Sequence, residues 1–390
     1  MFYITRKRII LFILVLLCLG VTVFLVYRAH KKTEVKVVRE VPPPPPPRVD
    51  TEDIFFAPPY HYDPPPLSMK TMKLKGCVTD GLLSGYGEDT DAEAAMINRS
   101  ECVYLHRALE TWAAPPDFAK ALEVMQKITK PNVMYGMFLA EDIRRDVKYF
   151  YPDEDRYFNF SDMCRKGSEN AWGEHTCKPS ISSKEYRKYL SFVTHRAMDV
   201  GIQSFLFGQI YYQDNPDLGQ SKLPEVLDDM RAYAKKKGIQ IAIGAQTGNI
   251  TDENYLRRFD YIEGGVGIGD DGTIENGPCW SQLESCWALL WHDQYASRAN
   301  NVLVHLDWSG LKFDDMSSFA RMDAAKRKAT LSKLYNYFTS KRIGFLMPMM
   351  ATLNVENGGC HGPKKRFYSA SREYTCQDES IINNLLKNGK

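Results

Sequence analysis

Short hydrophobic runs of strand length recur along the chain, and segments of helical length separate most of them. In the run NVLVHLDWSG (301–310), Leu303, His305 and Asp307 fall on one face of an extended chain, and apolar residues fill the other. Comparable candidate strands lie near residues 74, 134, 204, 240, 262, 303 and 345. This alternation of strands and helices predicts a parallel α/β architecture.

The number of strand–helix units favours one class of α/β fold. Seven or eight units in about 320 residues suit a TIM-like (β/α) barrel better than a doubly wound sheet. An eighth strand is expected within 99–112 or 366–376. No strand precedes a dinucleotide-binding GxGxxG or a phosphate-binding P-loop. The predicted fold is therefore a barrel of seven or eight strands with disulfide-bearing loop insertions.

The amino-terminal part differs in composition from the predicted barrel. The segment 9–27 holds 19 residues without a charge, close to the length that spans roughly 30 Å of hydrocarbon, and a basic cluster (6–8) precedes it. Because no clear small-x-small cleavage site follows, an uncleaved signal anchor is predicted rather than a cleaved signal peptide. Residues 1–8 would form a cytoplasmic tail, 28–68 a proline-rich stem and 69–390 the barrel domain.

Cysteine usage and glycosylation sequons indicate the compartment of the barrel domain. Eight of the nine cysteines follow the span. They fall into four neighbouring pairs, Cys77 with Cys102, Cys164 with Cys177, Cys279 with Cys286 and Cys360 with Cys376, although eight cysteines allow many other pairings. Sequons begin at Asn98, Asn159 and Asn249. These features predict a single-pass type II membrane protein whose large domain is extracellular or in the secretory lumen.

Charge and motif content argue against several classes of function. The formal net charge of +2 gives no indication of a nucleic-acid partner. The eight histidines show neither HxH nor HExxH spacing, so neither a metal nor another cofactor is predicted. A GxSxG nucleophile elbow is absent as well.

Carboxylates at predicted strand ends are the candidates for catalysis, because the active sites of barrel enzymes lie at the carboxyl ends of the strands. The candidate catalytic residues are Glu141, Glu263 and Asp307. Burial in the apolar strand YIEGG would raise the pKa of Glu263 and suit a general acid, unless a basic neighbour pairs with it structurally. Asp307 could instead cap the following loop. Glu141 and Asp142 are adjacent, so only one of them is expected to face the cleft.

The residues around these carboxylates suit a carbohydrate. The candidate substrate-binding residues are His305, Trp308, Gln209, Tyr211 and Gln246. Amides bind sugar hydroxyls, an aromatic ring stacks on the sugar, and two carboxylates flank the bond that is cleaved. For His305 a role as a buried core histidine is the simpler alternative. The predicted partner is a carbohydrate or glycoconjugate substrate.

The layout of tail, span, stem and disulfide-bearing domain resembles that of Golgi glycosylation enzymes, and the strand–helix pattern is similar to that of barrel glycoside hydrolases. Three hypotheses follow. The favoured one is a membrane-anchored glycoside hydrolase-like enzyme that uses paired carboxylates. The second is a secretory-pathway glycosyltransferase, for which the DxD spelling of 153–155 lies in an insertion rather than clearly at a strand end. The third is a non-catalytic glycan-binding barrel.

Overall fold

The computed structural model describes residues 62–112, 114–216, 218–220, 222–280, 287–308, 314–353 and 359–389. The predicted tail (1–8), the predicted span (9–27) and the stem before Tyr62 lie outside these residues. Within the part that the structure describes, we find no helix that combines the length and the apolar character needed to cross a membrane.

Eight parallel strands form the centre of the described fold, and they pair in chain order. They are β1 (Gly76–Thr79), β2 (Tyr104–Leu109), β3 (Met134–Leu139), β4 (Ile202–Phe207), β5 (Ala242–Ala245), β6 (Tyr261–Gly265), β7 (Val302–His305) and β8, which runs as Gly344–Phe345 and Met347–Thr352. All residues of β3 and β4 are buried, as expected for parallel strands that are covered on both faces.

The eighth strand closes the sheet into a barrel. Its first segment pairs with β7, where Val304 lies opposite Phe345, and its second segment pairs with β1, where Cys77 lies opposite Met347. Leu346 separates the segments, and its backbone N–H donates to the carbonyl of Val304 over 2.8 Å. Pairing therefore continues across the break. The predicted TIM-like α/β fold is confirmed, with eight parallel strands in the described residues.

Two ranges were considered for an eighth strand, and β2 lies in the first of them, 99–112. The second range, 366–376, contains a short strand, Phe367–Ser369, which is antiparallel to the end of β8. The first predicted strand begins as a helix, α1 (Met69–Lys75). Ser68 caps this helix, because its hydroxyl accepts a hydrogen bond from the Thr71 backbone N–H at 3.2 Å. The strand starts only at the following glycine.

Helices alternate with the strands along the chain. After α1 they are α2 (Thr90–Arg99), α3 (Phe118–Lys127), α4 (Phe160–Met163), α5 (Lys184–Asp199), α6 (Ile210–Gln213), α7 (Lys222–Lys237), α8 (Glu253–Leu256), α9 (Asp293–Ala296), α10 (Asp315–Arg321), α11 (Ala324–Ser340) and α12 (Glu379–Asn388). Ser183 caps α5, because its hydroxyl accepts a hydrogen bond from the Tyr186 backbone N–H. Within 287–298 only the short α9 is helical.

A disulfide-linked insertion (143–180, called the insertion below) follows β3. Its ends pair as two short antiparallel strands, Ile143–Arg144 and Thr176–Cys177, and a disulfide joins Cys164 to Cys177. The predicted bridges Cys77–Cys102 and Cys360–Cys376 are present as well. The fourth predicted pair includes Cys286, which lies outside the described residues.

The segment before α1 contacts the amino-terminal ends of the strands. The Tyr62 hydroxyl donates to the carbonyl of Val133, just before β3. The amide of Gln203, near the start of β4, donates to the carbonyl of Pro65 over 2.8 Å. The last residues of the predicted stem therefore pack against the barrel at the end opposite the carboxyl ends of its strands.

Candidate active site

A cavity of about 850 Å³ opens at the carboxyl ends of the barrel strands. Its lining includes seven of the eight residues predicted for the site, namely Glu141, Gln209, Tyr211, Gln246, Glu263, Asp307 and Trp308. The eighth, His305, is buried beneath the cavity. Asp142 is not among the lining residues, which agrees with the expectation that only one of the adjacent acids faces the cleft.

Glu141 follows β3, and its two carboxylate oxygens differ in their contacts. Its Oε1 accepts a hydrogen bond from the Gln209 amide, whereas its buried Oε2 has no hydrogen-bond partner among the described residues. Burial raises the pKa of Glu141 to about 7, although Arg107 and Gln209 act in the opposite direction. Gly208 makes room for this carboxylate, because a Cβ at that position would collide with Oε2. Near neutral pH, Glu141 can therefore carry a proton that it can donate.

Asp307 follows β7, on the opposite side of the barrel from β3. Its backbone N–H donates to the Asp315 carboxylate over 3.1 Å, and the same carboxylate accepts from the backbone N–H groups of Gly267 and Ile268. Asp315 thus fixes the end of β7 against the chain that follows β6. Burial raises the pKa of Asp307, while the neighbouring His305 acts to lower it. A Cβ at Gly265 would lie 3.0 Å from that of Asp307, so glycine also provides space here.

Arg107 is a half-buried cation among the acids of the cavity, and no pattern in the sequence singled it out. Its guanidinium carbon lies 3.7 Å from the ring centre of Phe138 and 4.5 Å from that of Trp308. Its Nε donates to Glu110 over 2.6 Å. The positive charge lowers the pKa of both Glu141 and Asp307 relative to burial alone. Arg107 thus partly offsets the cost of burying two carboxyl groups in one site.

Glu263 lies between two imidazoles at the base of the cavity. Its Oε1 contacts Nε2 of His305 and lies 3.3 Å from Nε2 of His106, and its Oε2 accepts a hydrogen bond from the Gln246 amide at 2.9 Å. Burial alone would raise the pKa of Glu263, but the two imidazoles outweigh it and hold the pKa well below its ordinary value. The prediction of a raised pKa for Glu263 is therefore wrong. The alternative, a basic neighbour that pairs with this carboxylate, holds for both His106 and His305.

The pKa values of His305 and His106 shift in opposite directions. Burial acts to lower the pKa of His305, but the Glu263 carboxylate outweighs it and raises this pKa. Burial dominates at His106 and lowers its pKa. The Nδ1 of His106 lies 2.9 Å from the Tyr104 hydroxyl, which continues a buried chain of hydroxyls to Ser204 and Tyr261. We infer an imidazolium at His305 and a neutral imidazole at His106.

Aromatic side chains form an arc along one wall of the cavity, which we call the aromatic arc (Trp112, Trp172, Tyr212 and Tyr211). The distances between successive ring centres are 5.7, 6.1 and 4.4 Å. Tyr211 also donates its hydroxyl proton to Oε1 of Gln209 over 2.8 Å. Rings with exposed faces bind the apolar faces of sugars, and amides bind the hydroxyl groups, so this wall has the composition of a carbohydrate site.

Two predicted positions differ in secondary structure from the expectation. Gln209 and Tyr211 were expected on a strand over 202–212, but β4 ends at Phe207, and Gln209 has a φ of 30° at the start of α6. The chain turns here because Gln213 donates amide hydrogen bonds to the carbonyls of Leu139 and Gly208, the first at 3.1 Å and the second at 2.5 Å. Both side chains nevertheless line the cavity.

No family model matches this chain, and neither does any curated protein sequence. Several solved structures are similar at low identity. The GH27 β-L-arabinopyranosidase from Geobacillus stearothermophilus is 10% identical with a TM-score of 0.33, over 50% of this chain and 53% of that one, so the match spans about half its length. The Nostoc punctiforme debranching enzyme is 12% identical over 78% and 70% of the two chains, with a TM-score of 0.45.

A further similar structure is Eubacterium rectale Amy13B, which is 11% identical over 83% of this chain and 79% of that one, with a TM-score of 0.44. Identities and TM-scores at this level are too low to transfer an activity or a residue role to this chain. In the residues that the structure describes, we find no group of three or more histidine, cysteine, aspartate or glutamate side chains placed to hold a metal ion.

Proposed function

We propose that the protein is a glycoside hydrolase that cleaves a carbohydrate bound in the cavity at the carboxyl ends of the barrel strands. The observation that carries the proposal is the position of two carboxyl groups in this cavity. Glu141 and Asp307 follow β3 and β7, which are four strands apart in a ring of eight, so the two residues approach the cavity from opposite sides. Glycosidases use two carboxyl groups that flank the bond to be cleaved.

The environments of the two carboxyl groups suit different roles. Glu141 has a pKa of about 7, so it can donate its proton to the glycosidic oxygen as the C–O bond breaks. Asp307 lies next to the imidazolium of His305, which favours its ionised form. Its carboxylate would face the positive charge that develops at the anomeric carbon. In this proposal Glu263 does not transfer protons but holds His305 in its charged state.

Hydrolysis by the full-length protein tests this proposal. A panel of aryl glycosides and natural glycans would be assayed with the wild type and with Glu141→Gln and Asp307→Asn. We expect each substitution to lower kcat by about 10²–10⁴-fold, which is the usual contribution of a positioned acid or base. Asp142→Asn is the matched control, because this neighbour of Glu141 is also a buried acid but does not line the cavity.

Two outcomes would refute the hydrolase proposal. The first is full activity in both cavity variants while thermal melting shows that they are folded. The second is the absence of hydrolysis with every sugar of the panel. In the second case nucleotide-sugar binding would be measured next, although the DxD segment offers little support for a transferase. Its central Glu154 lies on the surface and pairs with Arg156 and Lys188.

We also propose that residues 9–27 anchor the chain in a membrane and that the barrel lies on the non-cytosolic side. The three disulfides in the described residues support an oxidising compartment. Asn159 is exposed and is the best placed of the predicted glycosylation sites. Asn98 is half-buried, and its amide makes hydrogen bonds with the backbone of 127–130. Asn249 lines the cavity, where a glycan would occupy the space proposed for the substrate.

Glycan removal tests this location. In cells of a glycosylating host, we expect enzymatic deglycosylation to lower the mass of the wild-type protein. Asn159→Gln should remove most of that shift, and Asn98→Gln should leave it unchanged. A protein without N-glycan in such cells, with free thiols at the six cysteines of the three observed bridges, would contradict a non-cytosolic location.

A further inference from the structure

Two cations of the insertion contact rings of the aromatic arc. The Nζ of Lys178 is 3.3 Å from the ring centre of Tyr212 and 4.9 Å from that of Trp172. The guanidinium carbon of Arg165 is 5.6 Å from the ring centre of Tyr212. Because Tyr212 and Trp172 line the cavity, these cations lie next to its wall and not on a remote surface.

The backbone of the insertion fixes the two cations side by side. Each directly follows a cysteine of the Cys164–Cys177 disulfide in the sequence. The backbone N–H of Arg165 donates to the carbonyl of Lys178 over 2.7 Å. The hydroxyl of Ser168 donates to the Arg165 and Lys178 carbonyls and accepts from the Lys178 N–H. The backbone positions of both residues are therefore fixed by the disulfide and by backbone pairing.

Neither cation has a carboxylate partner among the residues that the structure describes, unlike Arg144 and Arg156 of the same insertion. Arg144 pairs with Asp146 at 2.6 Å, and Arg156 pairs with Glu154 and with Glu185 at 2.6–2.7 Å. Both Arg165 and Lys178 are half-buried. Two adjacent, partly desolvated positive charges repel each other, so a counter-charge from outside the chain would stabilise this arrangement.

Most of the charged residues that line the cavity differ in sign from Arg165 and Lys178, and this difference bears on how a substrate would be oriented. The lining includes the acids Asp80, Glu110, Glu141, Glu263 and Asp307, and Arg107 lies among them. An anionic group would be repelled by the ionised acids of this lining but attracted to Arg165 and Lys178 beside the aromatic arc. A substrate with a negative charge at one end would therefore be oriented, with its uncharged part toward Glu141 and Asp307.

We propose that Arg165 and Lys178 bind an anionic group on the carbohydrate substrate, an inference that rests on the proposed function of the cavity. Carboxylate, sulfate and phosphate share the chemistry that such a site recognises, since a guanidinium and an ammonium group donate charge-assisted hydrogen bonds to each of them. The sugar that carries the anion would stack on the aromatic arc.

Three matched pairs of disaccharides would distinguish the sources of the charge. The pairs end in glucuronic acid or glucose, in 6-sulfogalactose or galactose, and in 6-phosphomannose or mannose. Binding would be measured by titration calorimetry at low salt, in the full-length Glu141→Gln protein to prevent turnover. We expect at least one charged sugar to bind about tenfold more tightly than its neutral partner, and we expect salt to weaken this preference.

Variants of the two cations complete the test. Arg165→Gln combined with Lys178→Gln should abolish the preference, so that the charged and the neutral sugar of each pair bind with equal affinity. Lys166→Gln is the matched control, because this neighbouring cation is exposed and should retain the preference. The proposal is overturned by equal affinity within all three pairs, or by a preference that survives in the double variant.

The two proposals can fail separately. A charged sugar that binds with the expected preference but is never cleaved by the wild type would support the anion site and refute the hydrolase. Hydrolysis of neutral glycans without any preference for charge would support the hydrolase and refute the anion site.

Discussion

Glu263 at the base of the barrel cavity and Glu141 on its wall are the same residue type at similar depth, yet their pKa values move in opposite directions. The pKa of Glu263 lies well below its ordinary value, whereas that of Glu141 rises to about 7. Both are buried. Glu263 contacts two imidazoles and accepts an amide hydrogen bond. Glu141 accepts an amide hydrogen bond from Gln209, and its Oε2 has no partner in the part of the chain that the structure describes.

The difference shows that burial alone does not decide the protonation of a carboxyl group. Desolvation raises both pKa values, and the number and charge of the partners decide the result. The base of the cavity therefore has a fixed charge arrangement that stabilises the fold, and the wall has a group that can exchange a proton. Four experiments can sharpen or break this contrast.

Removing the charge of Glu263 should have the largest effect. Glu263→Gln leaves the imidazolium of His305 buried without its counter-charge, so we expect a loss of about 3–5 kcal/mol in the free energy of unfolding at pH 7. Because the pKa of this carboxyl group is lowered in the folded protein, its stabilisation is present above the ordinary value of 4.5 and is lost as the pH falls toward the folded pKa.

Urea denaturation at pH 7 measures this effect. A variant as stable as the wild type at pH 7 would show that the ion pair with His305 does not contribute to the fold.

Removing the charge of Glu141 should change the free energy of unfolding in the opposite direction. Between pH 4.5 and about 7 the unfolded chain ionises this group while the folded protein keeps it protonated, so its contribution to stability is lost as the pH rises through this window. Glu141→Gln removes this loss, and it should make the protein more stable than the wild type above pH 7 by up to about 3 kcal/mol.

The same urea denaturation would follow this difference over the whole pH range. The two proteins should approach equal stability near pH 4. A Glu141→Gln protein that is less stable than the wild type at pH 8 would contradict a raised pKa at this residue.

The pH dependence of hydrolysis is the third measurement. If Glu141 donates the proton, kcat/KM should fall about tenfold per pH unit above a pKa of about 7, because the ionised form is inactive. The residual activity of Glu141→Gln should lack this alkaline limb. A wild-type profile that stays flat to pH 9 would assign the acid to another group.

The smallest effect is expected at Gln209, whose amide stabilises the ionised form of Glu141. Gln209→Met should raise the pKa of Glu141 further and move the alkaline limb upward by less than about one pH unit. Gln246→Met is the matched control, because this amide donates to Glu263 instead. It should leave the limb in place, and an equal shift in both variants would mean that the hydrogen bond to Glu141 is not the cause.

The barrel was predictable from the sequence because most of its strands are apolar and bounded by helices. β2 was less clear, because its residues YLHRAL include His106 and Arg107, which interrupt the apolar pattern. Arg107 also has a φ of 54°, and the pairing of β2 with β3 shifts register between Leu105 and Leu109. A strand that carries polar groups into a barrel cannot be recognised by hydrophobicity alone.

The convergence of the candidate residues on one cavity was predictable for a geometric reason, and the electrostatics of these residues were not. Strand ends of a parallel barrel meet at one face, which brought Glu141, Gln246 and Asp307 into the same cavity. The pairing of Glu263 with His106 depends on contact between strands 157 residues apart in sequence. The residues next to Glu263 in the sequence give no information about this contact. The direction of the shift in the pKa of Glu263 could therefore not be obtained from the sequence.

The chain reaches the barrel at the end opposite the cavity, where Tyr62 and Pro65 contact residues at the strand starts. A handle attached directly before Tyr62 would therefore be held at the far side of the barrel from the mouth. Protein immobilised on a sensor surface through this handle should leave the mouth accessible even to polymeric substrates. Long glycan chains and short oligosaccharides can thus be compared on one surface without the support blocking the larger ligand.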